Sequence, residues 1–296
     1  MSKFFELLNK SGTNLRGSGT QNVSTRPAKI SANRGDAGFD TGAEVDKLGL
    51  DNSASDATER GTTPPISNGN MDPLLITFLE PQSQAAESFR LLAASIVSGN
   101  STAQSRVIMV TSPQPLDGKS TVAANLGVAV GQELNKTAVL VDCDLRRPTL
   151  HQVFGLQACE GLHEYLSQGT SAGRYLLKTP IRNLSLIPGG RPSPSPAELL
   201  SSSKMPLLME ELKKRFRYVI ADFAPTGFAA DTAFLSGMVD GVLLVARSRK
   251  TPKDMILEAA ERLGRDRILG VVFNEDGEGY RRYQAYYKRY YTGKPK

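Results

Sequence analysis

The segment TSPQPLDGKST, Thr111 to Thr121, sets Gly118, Lys119 and Ser120 in succession between a β-branched run and the helical pattern VAANLGVAVGQEL. Binding a polyphosphate requires backbone N–H groups turned inward at a helix N-terminus. It also requires a lysine to reach the β and γ phosphates and a hydroxyl to hold magnesium. These three residues meet the last needs in order. The strict spacing G-x-x-x-x-G-K-[ST] fails at its first glycine, where Pro113 stands.

A second apolar run ends in Asp142-Cys143-Asp144, followed by Leu145-Arg146-Arg147-Pro148, and a third ends in Asp222. A carboxylate at the end of a strand neighbouring the phosphate loop holds magnesium or accepts the proton of an attacking hydroxyl. Capping of the following helix, or pairing with Arg146 and Arg147, would explain the first two aspartates equally well. Three acidic strand ends beside one phosphate loop are harder to explain by packing, because a buried ionised carboxylate is costly without a cation or hydrogen bonds.

The elements that must position these groups are legible as runs. RVIMVT (106–111), TAVLVD (137–142), LSLIP (184–188), YVIAD (218–222), GVLLVA (241–246) and ILGVVF (268–273) are nearly continuous apolar stretches separated by helical patterns. Such runs suit strands buried on both faces, and the alternation predicts a mostly parallel sheet flanked by helices, a three-layer α/β fold. Ligands of such open sheets sit at the carboxyl ends of the strands. An Ala- and Leu-rich helix is expected over Gln82 to Val97, after Pro81.

From about Ser11 to Met71 the composition shifts to Ser, Gly, Thr, Asn and Asp with no sustained period. Residues 1–72 are therefore read as a disordered, low-complexity leader with a short apolar patch at Phe4, Phe5, Leu7 and Leu8. The start lacks the h-region of a signal peptide, and no run reaches the roughly 18 apolar residues of a membrane span. With 36 basic and 30 acidic residues, the net charge of +6 is too mixed to argue for nucleic acid. Two cysteines, Cys143 and Cys159, are too few for a disulfide framework and fit a reducing compartment. His151 and His163 lack the companions of a metal site and are read, with both cysteines, as structural.

The tail is a separate signal. Six of the nine tyrosines, Tyr280, Tyr283, Tyr286, Tyr287, Tyr290 and Tyr291, lie in GYRRYQAYYKRYYTGKPK, where no acidic residue accompanies six basic ones. A basic-aromatic tail could stack on single-stranded nucleic acid. Beside a phosphoryl-transfer site it reads instead as a substrate.

Together these motifs resemble the bacterial tyrosine kinases of capsule and exopolysaccharide synthesis, built on a ParA/MinD-like P-loop ATPase. The resemblance runs from about Pro81 to the C-terminus. It is carried by PLDGKST (115–121) as Walker A, VLVDCDLRRP (139–148) as Walker A′ and YVIADFAP (218–225) as Walker B. GLHEYL (161–166), SPSPAELL (193–200), Glu87, Phe89 and Arg90 in the upstream helix, and the tyrosine-rich tail are also similar. It implies a P-loop NTPase fold, a kinase domain over 73–278 and a substrate tail over 279–296.

It further implies ATP and Mg2+ as cofactors, with Asp117, Gly118, Lys119, Ser120, Thr121 and Asn274 binding the nucleotide. Ser120, Asp142 and Asp222 would organise the metal, and Lys119, Asp142 and Asp144 would act in catalysis, Asp142 as base. Glu87, Phe89 and Arg90 would support a ring-like homo-oligomer. The partners implied are a transmembrane activator of the chain-length-determinant class and a phosphotyrosine phosphatase, with no nucleic acid, for a cytoplasmic protein recruited to the inner face of the membrane.

The departures are Leu116, where the family has glycine and where φ > 0 would strain a leucine, and Phe-Ala-Pro after Asp222 where Thr-Pro-Pro is usual. Two other readings share the fold: a ParA/MinD-like ATPase, disfavoured because Gln114 replaces its signature lysine, and an impaired nucleotide-binding scaffold.

Overall fold

The computed structural model describes residues 71–98, 106–169, 171–228 and 235–275; the leader to residue 70 and the tyrosine-bearing tail lie outside the described residues. In chain order the elements are α1 (Ile76–Leu79), α2 (Gln84–Ser98), β1 (Arg106–Thr111) and α3 (Lys119–Val128), the last running into a π-turn (Ala129–Glu133). Then come β2 (Ala138–Asp142), α4 (Leu150–Val153), α5 (Leu162–Gln168), β3 (Leu177–Lys178), β4 (Leu184–Ile187), α6 (Pro196–Leu200) and α7 (Lys204–Arg215). β5 (Tyr218–Asp222), β6 (Gly241–Arg247), α8 (Lys253–Leu263) and β7 (Ile268–Asn274) complete the described fold.

The sheet order is β3-β4-β2-β5-β1-β6-β7. Every pairing is parallel except that of β3 with β4. Successive side chains of a strand point to opposite faces, and here both faces are covered. Val107, Met109, Val139, Val141 and Val219 pack on one side with Tyr165 of α5, Leu208 of α7 and Ile256 of α8. Ile108, Val110, Leu140 and Ile220 pack on the other with Leu92 of α2 and Val122 and Leu126 of α3. This is the three-layer arrangement that continuous apolar strands require.

Two details differ from the reading of the sequence. The strand that ends in Asp142 does not neighbour β1, because β5 lies between them; Asp222 is in register with Val110 on one side and Asp142 on the other. β3 was not anticipated, being two residues long and thus too short to show a period.

Asn125, fully buried in the middle of α3, ties the segment before α2 to the phosphate-loop helix. Its Oδ1 accepts from the Thr77 amide at 2.8 Å, and its Nδ2 donates to the Leu74 carbonyl at 2.8 Å. A buried amide satisfied on both ends fixes this approach specifically.

Candidate active site

The chain leaves β1 at Thr111 and enters α3 at Lys119 through a loop with two left-handed residues, Leu116 (φ 66°) and Gly118 (φ 91°). Backbone that changes hand in this way forms anion-binding concavities. Glycine suits position 118 through its φ, and an added Cβ would stand 2.0 Å from Asn274 Nδ2 and displace that side chain. Leu116 adopts the positive φ expected to strain it, with its side chain 84% exposed. Leu116→Gly is therefore expected to stabilise the protein by about 1 kcal/mol, read as a higher denaturant midpoint at unchanged m-value.

Three carboxylates converge at the strand ends beside this loop, all buried: Asp142, Asp144 and Asp222. Lys119 Nζ stands among them, 2.8 Å from Asp144 Oδ2 and 3.3 Å from Asp222 Oδ1. Ser120 Oγ donates to Asp222 Oδ2 at 2.5 Å. Asp142 Oδ2 accepts from the amides of Thr149 and Leu150, each at 2.9 Å, and its Oδ1 from the Asp144 amide at 3.3 Å. The capping reading of Asp142 thus holds together with its place in the acidic cluster. Pairing with Arg146 and Arg147 does not: both are exposed, and Asp144 takes Lys119 instead.

One ammonium among three carboxylates leaves the cluster short of positive charge, and the protonation equilibria show it. Burial and the neighbouring Asp222 push the Asp142 carboxyl up to about 7, against the pull of the Leu150 amide and Lys119. Burial also raises Asp222, opposed by Lys119 and the Ser120 hydrogen bond. Burial pulls Lys119 down, but Asp222 and Asp144 outweigh it and hold the ammonium above the usual lysine range.

An additional divalent cation would relieve this imbalance, and the donors are all oxygen, as a hard ion prefers. Among the described residues no group of three or more His, Cys, Asp or Glu forms a metal cage. Magnesium needs no such cage, since it binds through one or two protein oxygens plus phosphates and water. Ser120 and Asp222, already in contact, fit such a role.

The remaining expected nucleotide residues surround the loop. Thr121 is half-buried at the start of α3, with its carbonyl accepting from Asn125 Nδ2 at 2.9 Å. Asn274, the last residue of β7, donates from Nδ2 to the Asp117 carbonyl at 3.0 Å. The Asp117 side chain is engaged with Gln114 and, at 2.6 Å, with Thr251 Oγ1. Thr251 was missed by the sequence reading, because nothing local marks a threonine in a turn after β6 as a partner of a loop 134 residues earlier.

Glu87, Phe89 and Arg90 belong to α2 and not to this cluster. Glu87 and Arg90 pair within the helix at 2.7 Å, Arg90 Nη1 also donates to the Pro81 carbonyl, and Phe89 packs on the core beneath. Cys143 is fully buried, and burial together with the adjacent carboxylates pushes its thiol well up, which makes it unreactive. His163 Nε2 accepts from Arg191 Nε at 2.9 Å. The six tail tyrosines lie outside the described residues.

No protein-family model matches the chain. A search of individual proteins gives a clear relative: the tyrosine-protein kinase YwqD of Bacillus subtilis is 35% identical over 202 residues, which is 68% of this chain and 85% of that protein. Among solved structures, the kinase domain of the Escherichia coli tyrosine kinase ETK superposes with a TM-score of 0.64 at 26% identity, over 68% of this chain and 79% of that one. The cell-division ATPase MinD of Pyrococcus furiosus shares the fold, with a TM-score of 0.51 at 24% identity over 58% and 73% of the two chains. With a phosphate loop, a lysine and three strand-end carboxylates in this arrangement, and with that degree of likeness, the chain belongs to the bacterial tyrosine kinases, the ATP-dependent protein-tyrosine kinases of capsule and exopolysaccharide synthesis.

Proposed function

We propose that the protein transfers the γ-phosphoryl group of ATP to the tyrosines of its own C-terminal tail, Tyr280, Tyr283, Tyr286, Tyr287, Tyr290 and Tyr291, each chain serving as substrate of a neighbouring copy. The observation that carries this reading is the buried cluster in which Lys119 lies between Asp144 and Asp222 while Asp142 titrates near neutrality. A base poised near the working pH suits a hydroxyl nucleophile.

In this reading the phosphate loop and Lys119 hold the β and γ phosphates. Ser120 and Asp222, together with Asp142, would hold Mg2+, which would supply neutralising charge to the phosphates. Asp142 accepts the tyrosine hydroxyl proton as the phenolic oxygen bonds to the γ phosphorus and the bond to the β-phosphate oxygen breaks, giving phosphotyrosine and ADP. Asp144 holds Lys119 in place, and Asn274 would contact the adenine.

Glu87, Phe89 and Arg90 on α2 are proposed contacts of the homo-oligomer. Among the described residues no helix is long and apolar enough to cross a membrane. We place the protein at the inner face of the membrane through a transmembrane activator of the chain-length-determinant class, with a phosphotyrosine phosphatase as its antagonist. Each phosphate adds about −1.5 to −2 charges, so about three to four would cancel the six positive side chains of the tail. A phosphorylated tail would be repelled from a neighbouring copy's acidic site and the homo-oligomer would come apart, so replacing all six tail tyrosines by phenylalanine is expected to leave ATP binding intact and to abolish this phosphorylation-dependent disassembly.

The test is the intact mass after incubation with ATP and Mg2+, beside Lys119→Met and a form ending before Tyr280. Mass added in phosphate steps, and absent from both controls, is the expected result. Nucleotide binding without added mass, even with a cognate activator present, would instead favour a nucleotide-binding scaffold and make Leu116 the first residue to restore to glycine.

A further inference from the structure

Asp117 is a carboxylate that the reaction does not use. It sits in the phosphate loop immediately before Gly118, 1% exposed, and no lysine or arginine is paired with it among the described residues. Its position beside the expected phosphates suggests a ligand of the nucleotide, but both of its oxygens already accept hydrogen bonds within the protein. Oδ2 accepts from the Gln114 amide at 3.3 Å; Oδ1 accepts from Gln114 Nε2 at 3.3 Å and from Thr251 Oγ1 at 2.6 Å. A carboxylate would also repel a phosphate with no cation between them.

The partners form a closed circuit. Thr251 Oγ1, while donating to Asp117, accepts from the Arg247 amide at the end of β6 at 2.8 Å. The next amide, that of Ser248, donates to the Asn274 carbonyl at the end of β7 at 2.8 Å. Asn274 Nδ2 returns to the Asp117 carbonyl at 3.0 Å. Four segments are thus joined in a ring: the phosphate loop, the end of β6, the turn after it and the end of β7. The loop it holds carries one left-handed residue on either side of Asp117, Leu116 and Gly118, a backbone with little reason to keep its shape unsupported.

We propose that Asp117 and Thr251 form a positioning latch that holds the phosphate loop in its nucleotide-binding shape against the ends of β6 and β7, so that one hydroxyl, on a turn outside every recognised motif, sets nucleotide affinity. The proposal rests on the reading of Thr111 to Ser120 as the nucleotide loop and extends it to a residue that never touches the nucleotide. A hydrogen bond to a buried carboxylate is of the stronger kind, and removing its donor leaves that acceptor short of a partner.

The test measures ADP affinity by titration calorimetry on the full chain, so that it does not depend on phosphoryl transfer. Thr251→Val keeps the shape and removes the hydroxyl; ADP is expected to bind about tenfold more weakly. Thr251→Ser restores the hydroxyl and is expected to stay within about twofold of the unaltered protein. Asp117→Asn is expected to weaken binding as much as Thr251→Val, and the double variant no more than either alone, the signature of a shared interaction. KM for ATP is expected to rise by a larger factor than kcat falls.

Unaltered ADP affinity in Thr251→Val, an equal loss in Thr251→Ser, or additive losses in the double variant would each overturn the latch. Should Thr251→Val fail to fold, the comparison of Thr251→Ser with Asp117→Asn decides by the same criteria. A protein that binds ADP with this pattern but never takes up phosphate would sink the kinase reading and leave the latch standing.

Discussion

Lys119→Met is expected to lower phosphate incorporation by at least 10²- to 10³-fold, the scale on which loss of one preorganised charge at a transferring group acts, and also to change the pH profile of folding. Lys119 Nζ lies within 3.4 Å of three side chains that need it: Asp144 at 2.8 Å, Asp222 at 3.3 Å and the Ser120 hydroxyl at 3.2 Å. Methionine matches the volume of the stem and supplies no charge, so three buried carboxylates remain with no ammonium among them. Removing one member of a buried ion pair costs about 3–5 kcal/mol when the other stays charged.

Here the others need not stay charged, since Asp142 and Asp222 are already raised by burial. The variant is therefore expected to be least stable at pH 8 and to recover on acidification as the carboxyls protonate. Thermal unfolding at pH 6 and pH 8, without nucleotide or metal, reads this directly. A variant as stable as the parent at both pH values would show that Lys119 does not neutralise the cluster, and phosphate incorporation at the parental rate would show that it does not hold the reacting phosphates.

The parts of this arrangement that were legible in the sequence are those encoded within one segment. β1 and β5 have the bounds their apolar runs suggested, and β2, β4, β6 and β7 differ from theirs by one residue at one end, because a strand buried on both faces is written as a contiguous run. Gly118, Lys119 and Ser120 were legible because loop and helix entry are local. Long-range choices of partner were not. Nothing in YVIAD says that it inserts between β1 and β2, yet that insertion brings Asp222 into register with Asp142.

Asp142 offered two readings, cap or cluster member, and the fold uses both. One oxygen takes two amides at the start of α4, while burial beside Asp222 acts on the group as a whole. Thr251 carried no signal, because a hydroxyl's function here depends on a hydrogen bond across 134 positions of chain. The helix expected over 82–97 spans Gln84–Ser98 because the turn after Pro81 is closed by the Ser83 amide donating to the Glu80 carbonyl, with Ser83 Oγ then accepting from the Ala86 amide, a local alternative to helix.

Asp142→Asn is expected to move stability and activity in opposite directions. The carboxyl stands at about 7 in the fold against an ordinary value of 3.8, chiefly through burial and then through the charge of Asp222. A carboxyl whose folded value is raised contributes stability that is fully present below about pH 3.8 and is lost as the pH rises through about 7. Above that pH the folded protein must hold the carboxylate ionised beside Asp222, a penalty the amide does not incur. In the nucleotide- and metal-free protein Asp142→Asn is thus expected to raise stability at pH 8 by on the order of 1–3 kcal/mol, and to flatten the decline between pH 4 and pH 8.

The gain falls short of the full shift, because the amide nitrogen replaces an oxygen that accepts from the Asp144 amide. The same change removes the proton acceptor proposed for the tyrosine hydroxyl, and phosphate incorporation is expected to fall by about 10²- to 10⁴-fold. Denaturant titrations across pH, paired with intact-mass time courses, measure both. Lower stability at pH 8 would mean that the hydrogen bonds Asp142 accepts outweigh its charge. Undiminished phosphorylation would remove it as the base, and the proton of the tyrosine would then have to leave by another route.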